Sequence, residues 1–349
     1  MTTSFVVSAP GKLHLLGEHS VVYKKPALLA AIDKRCFVKV SLRKDASIVC
    51  IAKDLSKQRV FTKKEIIDKT LHARNMWEVF QKNPEKSLVK HIIPTPMDFV
   101  VIAIGESLLA LNKELPSGFT LKVYSEIPMG SGMGSSAACA VAIAGGMSFL
   151  FAKKLDKKMI TNASLRIEQR VHGNPSGADT AVSIAGGIAL FTKNKPIQRL
   201  SLLPKAIQDK FSVIFTGKPE ETTGEMVTKV KKKKEKSKKD IDAIFNNQEK
   251  LVIRLVDAMQ ESNEKKIVEI MTQGEKNLEV LGVVSKSTKK LIRAIEKLGG
   301  AAKICGAGGQ KNASGVVLVF GVPHDVLKHK LQIPVGAVIL GTKGVVKEV

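Results

Sequence analysis

Residues 128–138 read Pro128-Met129-Gly130-Ser131-Gly132-Met133-Gly134-Ser135-Ser136-Ala137-Ala138. Glycine at every second place removes the side chains that would hold an anion away from backbone N–H groups. The segment runs into SSAACAVAIAGGMSFLF, a small-residue apolar stretch of helical character. The loop therefore feeds a helix N-terminus, whose free N–H donors and positive dipole end favour phosphate. Ser135 or Ser136 is expected as the N-cap. A glycine-rich turn before a tightly packed helix is the structural alternative. The leading proline, the three spaced glycines and the two serines together weigh towards a phosphate cradle over Pro128–Ala137. Two other nucleotide loops are excluded. No lysine follows the last glycine, as GxxxxGK[ST] requires, and no acidic residue ends a second parallel strand at dinucleotide-fold spacing.

Working outward, Phe119–Val123 alternates apolar and polar residues and suits a strand, and residues 98–112 have the length and apolar density of a buried helix. A helix over 161–172 is expected to stop at His172-Gly173-Asn174-Pro175. At the N-terminus Phe5-Val6-Val7 reads as a short strand ending in the turn-forming cluster Ser8-Ala9-Pro10-Gly11, with Leu13–Leu16 as a second extended stretch. Gly186-Gly187 suggests a turn into a strand at Ile188–Phe191. In the second half Phe211–Phe215 and Val316–Phe320 are strand candidates on either side of a helical pattern over 240–298. Both halves mix strands and helices, so an α+β fold of two domains, 1–205 and 206–349, is expected.

Lys and Arg exceed Asp and Glu by 56 − 32 = 24. Such a charge raises nucleic-acid binding, but two tyrosines and one tryptophan make a poor set of stacking platforms. The densest run, Lys229–Lys239, holds eight lysines and one glutamate beside a helical pattern and reads as a solvated face. A general positive field also attracts anionic small molecules. No apolar run reaches the roughly 18 to 20 residues of a membrane span, and Met1–Phe5 has no basic segment before a long apolar one. Cys36, Cys50, Cys139 and Cys305 are scattered, as expected of reduced thiols in a cytoplasmic protein.

Phosphoryl transfer needs a metal on the phosphates, a cation on the transferring group and a residue to orient the attacking hydroxyl. Ser136 offers a hydroxyl and Glu168 a carboxylate to Mg2+, which keeps most of its waters. Asp179 follows the costly turn His172-Gly173-Asn174-Pro175-Ser176-Gly177 at a new helix start, where a capping role and a catalytic one weigh equally. Lys12 after Ala9-Pro10-Gly11, and Glu18-His19 after Gly17, are each ambiguous alone and gain weight only together.

These residues carry a resemblance. Ser8-Ala9-Pro10-Gly11-Lys12 with Gly17-Glu18-His19-Ser20-Val21-Val22-Tyr23 resembles the first motif of mevalonate kinases. Residues 127–138 resemble the ATP motif of the wider galactokinase–homoserine kinase–mevalonate kinase–phosphomevalonate kinase superfamily. The block His172–Gly177 with Asp179 is similar to mevalonate kinases above their cousins, and Gly306-Ala307-Gly308-Gly309 resembles the third superfamily motif. The resemblance implies a two-domain kinase with its active site in the interdomain cleft, ATP and Mg2+ as cosubstrates, and mevalonate as acceptor, phosphorylated on its C5 hydroxyl. It implies Asp179 as the residue that takes or orients the hydroxyl proton and Lys12 as its neighbouring cation, with Ser136 and Glu168 as magnesium ligands. Glu18 and His19 fall in the motif lining the mevalonate pocket, so that Lys12, Glu18, His19 and Asp179 form the acceptor side. It is compatible with a homodimer and makes neither membrane nor nucleic acid an expected partner.

Two departures stand out. The third motif continues Gln310-Lys311-Asn312 in place of further glycines, with Lys311 offering charge in compensation. After Phe211–Phe215, where relatives carry a basic residue and a Ser or Thr facing the phosphates, the chain has Gly217-Lys218-Pro219-Glu220-Glu221-Thr222-Thr223; the resemblance makes Lys218 the candidate for the cationic role and Thr222 or Thr223 for the hydroxyl one. These departures keep open another acceptor of the superfamily: phosphomevalonate, a sugar or homoserine.

Overall fold

The computed structural model describes residues 4–83, 91–113, 117–201 and 203–349. The chain opens with strands β1 (Ser4–Leu16), β2 (Ala27–Leu42), β3 (Ile48–Ala52) and β4 (Lys57–Phe61). Helices α1 (Lys63–Lys82) and α2 (Pro96–Leu111), strand β5 (Phe119–Ser125) and helices α3 (Ser135–Ala152), α4 (Lys157–His172) and α5 (Ala178–Ala185) follow. Then come β6 (Ile188–Phe191), β7 (Gln198–Leu200), α6 (Lys205–Gln208) and β8 (Phe211–Phe215). Helices α7 (Thr223–Lys236), α8 (Lys238–Gln260), α9 (Glu264–Leu281) and α10 (Lys286–Lys297) lead to β9 (Ala301–Ile304) and β10 (Val316–Phe320), and α11 (His324–Leu331), β11 (Gly336–Ala337) and β12 (Val346–Lys347) close the chain.

Two sheets result. The larger runs β12-β1-β2-β5-β3-β4, with β6 on the far part of β2 and β7 on β6; the smaller runs β11-β8-β10-β9. All pairings are antiparallel except β3 with β5. The C-terminal strand thus returns to the first sheet, where Val7 pairs with Lys347.

The turn expected at Ser8–Gly11 does not break the strand. Ser4–Leu16 is continuous, with register shifts against β2 between Pro10 and Lys12 and between His14 and Leu16. Pro10 has no N–H to give the ladder, and a Cβ on Gly11 would lie 2.8 Å from the Met133 carbonyl. Turn-forming residues here make a bulge, which re-aims the side chains after it.

Helix α3 is 18 residues long and apolar enough by composition to cross a membrane, longer than the sequence pattern suggested. It is instead mostly buried in the protein, and its Gly145 and Gly146 let Val7, Val38, Val40 and Val345 approach closely. The central strand of the second sheet, β10, is buried on both faces, as the unbroken apolar run Val316–Phe320 requires. Val316, Leu318 and Phe320 join the core that extends under the first sheet, while Val317 and Val319 join a second core with Met226, Phe245 and Ile292. On β9, Lys303 alternates with Ala302 and Ile304 and so shares the face of Ala301 and Cys305, towards the first sheet. The lysine run forms α7 and the start of α8, where all but Lys234 of its lysines are exposed.

Candidate active site

The glycine loop sits between the two sheets and is bonded to both. Lys12 N donates to Met133 O at 2.8 Å and Val316 N to Ser131 O at 2.9 Å. Neither expected serine caps the helix. The N-cap is Gly134, in the left-handed region at φ 73°, with no side-chain hydrogen bond to the helix end. Ser135 and Ser136 move into the first turn, and the first backbone donors of α3 are left to an incoming anion. Two glycines are required by close approach. A Cβ on Gly132 would lie 2.7 Å from the Cys305 carbonyl, and one on Gly134 would lie 2.9 Å from Lys12 Cγ.

Lys12 is 3% exposed, and its Nζ lies 3.3 Å from Asp179 Oδ2. The same ammonium donates to Gly132 O at 3.2 Å and to His14 Nδ1 at 3.0 Å. Asp179 lies in the first turn of α5, whose N-cap is Gly177; Asp179 is therefore not the cap but faces Lys12. Across from it, His172 Nε2 stands 3.3 Å from Ser136 Oγ and 3.5 Å from Glu168 Oε2. Burial pushes the Glu168 carboxyl up, against the pull of His172. Its Oε1 is buried without a hydrogen-bond partner among the described residues. A hydroxyl and a carboxylate with one orphaned oxygen are hard donors, and they fit Mg2+ in kind and number.

The turn joining Glu168 to Asp179 is held from behind. Trp77 Nε1 donates to Gly173 O at 2.9 Å, and the Arg170 guanidinium lies 4.8 Å over the Trp77 ring. Arg170 and Arg74 both bind the fully buried Glu106, at 3.2 and 2.5 Å.

Glu18 and His19 are buried, and each is tied to the second sheet. Lys303 Nζ donates to Glu18 Oε1, to His14 O at 3.2 Å and to Ile304 O at 2.6 Å. With these acceptors around it the Lys303 ammonium is held charged, its pKa raised by Glu18 against the cost of burial. His19 Nε2 donates to Ala307 O at 3.1 Å, and burial lowers the His19 pKa to about 4. Glu275 on α9 accepts from Ile304 N at 3.0 Å, and burial pushes its pKa up to about 8, so it carries a proton at neutral pH. His14, Lys303 and Glu275 are absent from the site predicted by sequence. A lysine within the otherwise apolar strand Ala301–Ile304 was the available signal, because a charge buried on a sheet face needs a partner.

Lys311 does not face the glycine loop. It pairs with Glu220 at 3.0 Å, Asn312 binds the same carboxylate, and Gln310 Nε2 donates to Gly282 O. Thr222 is committed as the N-cap of α7 in a capping box with Glu225. Lys218 is the basic side chain that lies over the loop: a Cβ on Gly130 would meet its stem at 3.1 to 3.3 Å.

The family model described as the GHMP kinases N terminal domain matches residues 100–187, the span that carries the glycine loop, α3, α4 and α5. Fold and site together define the class as that of GHMP small-molecule kinases. Mevalonate kinases from Thermococcus sibiricus and Pyrococcus furiosus are 34% and 33% identical to this chain over 313 residues, covering 87% of it and 86% of each relative. The crystal structure of Methanococcus jannaschii mevalonate kinase matches the fold with a TM-score of 0.78 at 23% identity, over 97% of this chain and 99% of that one. The chain belongs to the mevalonate kinase family.

Proposed function

We propose that this protein transfers the γ-phosphoryl group of ATP to the C5 hydroxyl of mevalonate, giving 5-phosphomevalonate and ADP, in the cytoplasm. The observation that carries the reading is the Lys12 ammonium, set 3.3 Å from the Asp179 carboxylate and bonded to the glycine loop at Gly132. One cation thereby touches both the acceptor-side carboxylate and the phosphate cradle. Within this proposal the chain divides near residue 205, and the reaction takes place between the two parts.

The roles follow from the chemistry of each group. The N–H donors at the start of α3 bind phosphate oxygens, and Lys218 adds charge from above the loop. Lys12 neutralises negative charge on the transferring group. Asp179 orients the attacking hydroxyl and takes its proton as the O–P bond to mevalonate forms and the bond to the leaving ADP oxygen breaks. Ser136 and Glu168 hold Mg2+, and the chemistry it supplies when bound is neutralisation of the phosphate oxygens. Glu18 and His19 shape the acceptor side from behind, with Glu18 fixed by Lys303 and His19 by Ala307.

A coupled assay of ADP release with ATP, Mg2+ and mevalonate tests the reading, and release no faster than without mevalonate refutes it. A panel with phosphomevalonate, galactose and homoserine ranks acceptors by kcat/KM. Asp179→Asn is expected to lower kcat by about 10²- to 10⁴-fold while ATP binding by calorimetry stays close to that of the parent.

A further inference from the structure

We propose that His14 is a positioning residue for this reaction, its Nδ1 anchoring the Lys12 ammonium between the glycine loop and Asp179. The inference rests on the reading of Lys12 and Asp179 as the reacting pair.

An ammonium has three N–H donors and no acceptor. Those of Lys12 serve Gly132 O at 3.2 Å and His14 Nδ1 at 3.0 Å by hydrogen bonds, and the charge pairs with Asp179 Oδ2 at 3.3 Å. Two of these partners belong to the elements that meet ligands. Asp179 stands on the acceptor side and Gly132 in the phosphate cradle, so a bound phosphate or hydroxyl competes with each for the ammonium. His14 belongs to Lys12's own strand, two residues on and on the same face. It is the bond that survives when the other two are exchanged, and Nζ pivots about it.

The ring is prepared for this task. Because Lys12 can only donate, Nδ1 is the acceptor and the ring proton lies on Nε2. Burial, and then the neighbouring charges of Lys12 and Lys303, push the His14 pKa well down and keep the ring neutral. The His14 backbone is itself fixed from the second sheet: its carbonyl accepts from Lys303 Nζ at 3.2 Å and from Cys305 Sγ at 3.4 Å. Gly134 closes the opposite side against the Lys12 stem. A flexible four-carbon side chain is thereby held at both its stem and its tip, which is what a group acting on a transferring phosphoryl needs. Ile or Leu at position 14 would fill the strand's core face equally well but would release the tip.

The test compares full-length His14→Leu and His14→Asn with the parent in the coupled assay, alongside melting temperatures. Leu removes the acceptor and keeps the bulk, whereas Asn offers Oδ1 close to where Nδ1 stood. H14L is expected to lower kcat about ten- to a hundredfold, the kinetic equivalent of losing a charge-assisted hydrogen bond, with KM for ATP within about threefold of the parent. H14N is expected to recover most of that loss. Full kcat in H14L, or equal losses in H14L and H14N, overturns the inference. If H14L does not fold, His14→Val, smaller and suited to a strand, carries the same comparison with H14N. Asp179→Asn run in parallel separates the two claims. An active D179N defeats the assignment of the reacting pair, whereas an inactive D179N with a fully active H14L defeats only the role of His14.

Discussion

Replacing Lys303 by Met removes the cation that joins the two sheets beneath the site. Lys303 and Glu18 are 0% and 1% exposed, so neither charge has water to fall back on. Without the ammonium, Glu18 Oε1 loses its partner, and Oε2 has none among the described residues to begin with. In the parent, burial pushes the Glu18 carboxyl up and Lys303 pulls it back down; in the variant that pull is gone, only the smaller ones from the backbone and Lys12 stay, and the carboxyl moves further up. The carboxyl escapes by taking a proton. At pH 7 that escape costs about 3 kcal/mol for a group whose ordinary pKa is 4.5, at about 1.4 kcal/mol per unit. The lost bonds to His14 O and Ile304 O bring the expected deficit to about 3–5 kcal/mol, the usual cost of orphaning one member of a buried pair. Its sign with pH is fixed. A carboxyl raised in the folded state is destabilising only where the unfolded chain would ionise, so the deficit shrinks towards pH 5 and grows towards pH 8. Denaturant titrations followed by circular dichroism at pH 5, 6, 7 and 8 measure this directly. Lys303→Met with Glu18→Gln, which leaves no charge, should recover at least half the loss. A deficit under about 1 kcal/mol at every pH, or a double variant no better than the single one, refutes the reasoning.

Glu275→Gln probes the same cluster from the opposite side. With a folded pKa of about 8 against an ordinary 4.5, Glu275 contributes stability below pH 4.5 that is lost as pH rises towards 8. E275Q is therefore expected to match the parent at pH 4 to 5 and to exceed it by a few kcal/mol, roughly, at pH 8, as read by the same titrations; a constant difference across that range contradicts it. Gly134→Ala places a methyl 2.9 Å from Lys12 Cγ at a φ of 73°. It should cost about 1–3 kcal/mol in stability and lower kcat together with ATP affinity, whereas a variant of normal ATP affinity and kcat would show that the stem of Lys12 moves freely.

Much of the site was legible because its residues lie in short contiguous blocks whose local chemistry is unusual. Three alternate glycines before a small-residue helix, and the turn His172–Gly177 before Asp179, each signal a backbone shape that few sequences adopt without cause. Those blocks marked the loop and the turn before Asp179, whereas the pairing of Lys12 with Asp179 came from the family resemblance and is seen at 3.3 Å in the structure. Turn chemistry misled at Pro10-Gly11, where pairing with β2 along almost the whole strand outweighed the local preference. It also misled at the cap of α3, which a left-handed glycine supplies in place of a serine.

By itself the sequence determined most of the helices and strands and the two-part α+β plan, since these follow from periodicity, glycine and proline within a few residues of chain; the turn at Pro10-Gly11 and the cap of α3 were decided by packing. Only the tertiary structure decided where the charges ended up. It spent Lys311 on Glu220, placed Lys218 over the glycine loop, and brought Lys303 through nearly three hundred residues of chain to Glu18 and His14. A buried charge takes its meaning from the partner that desolvation forces upon it, and that partner is chosen by how the sheets pack.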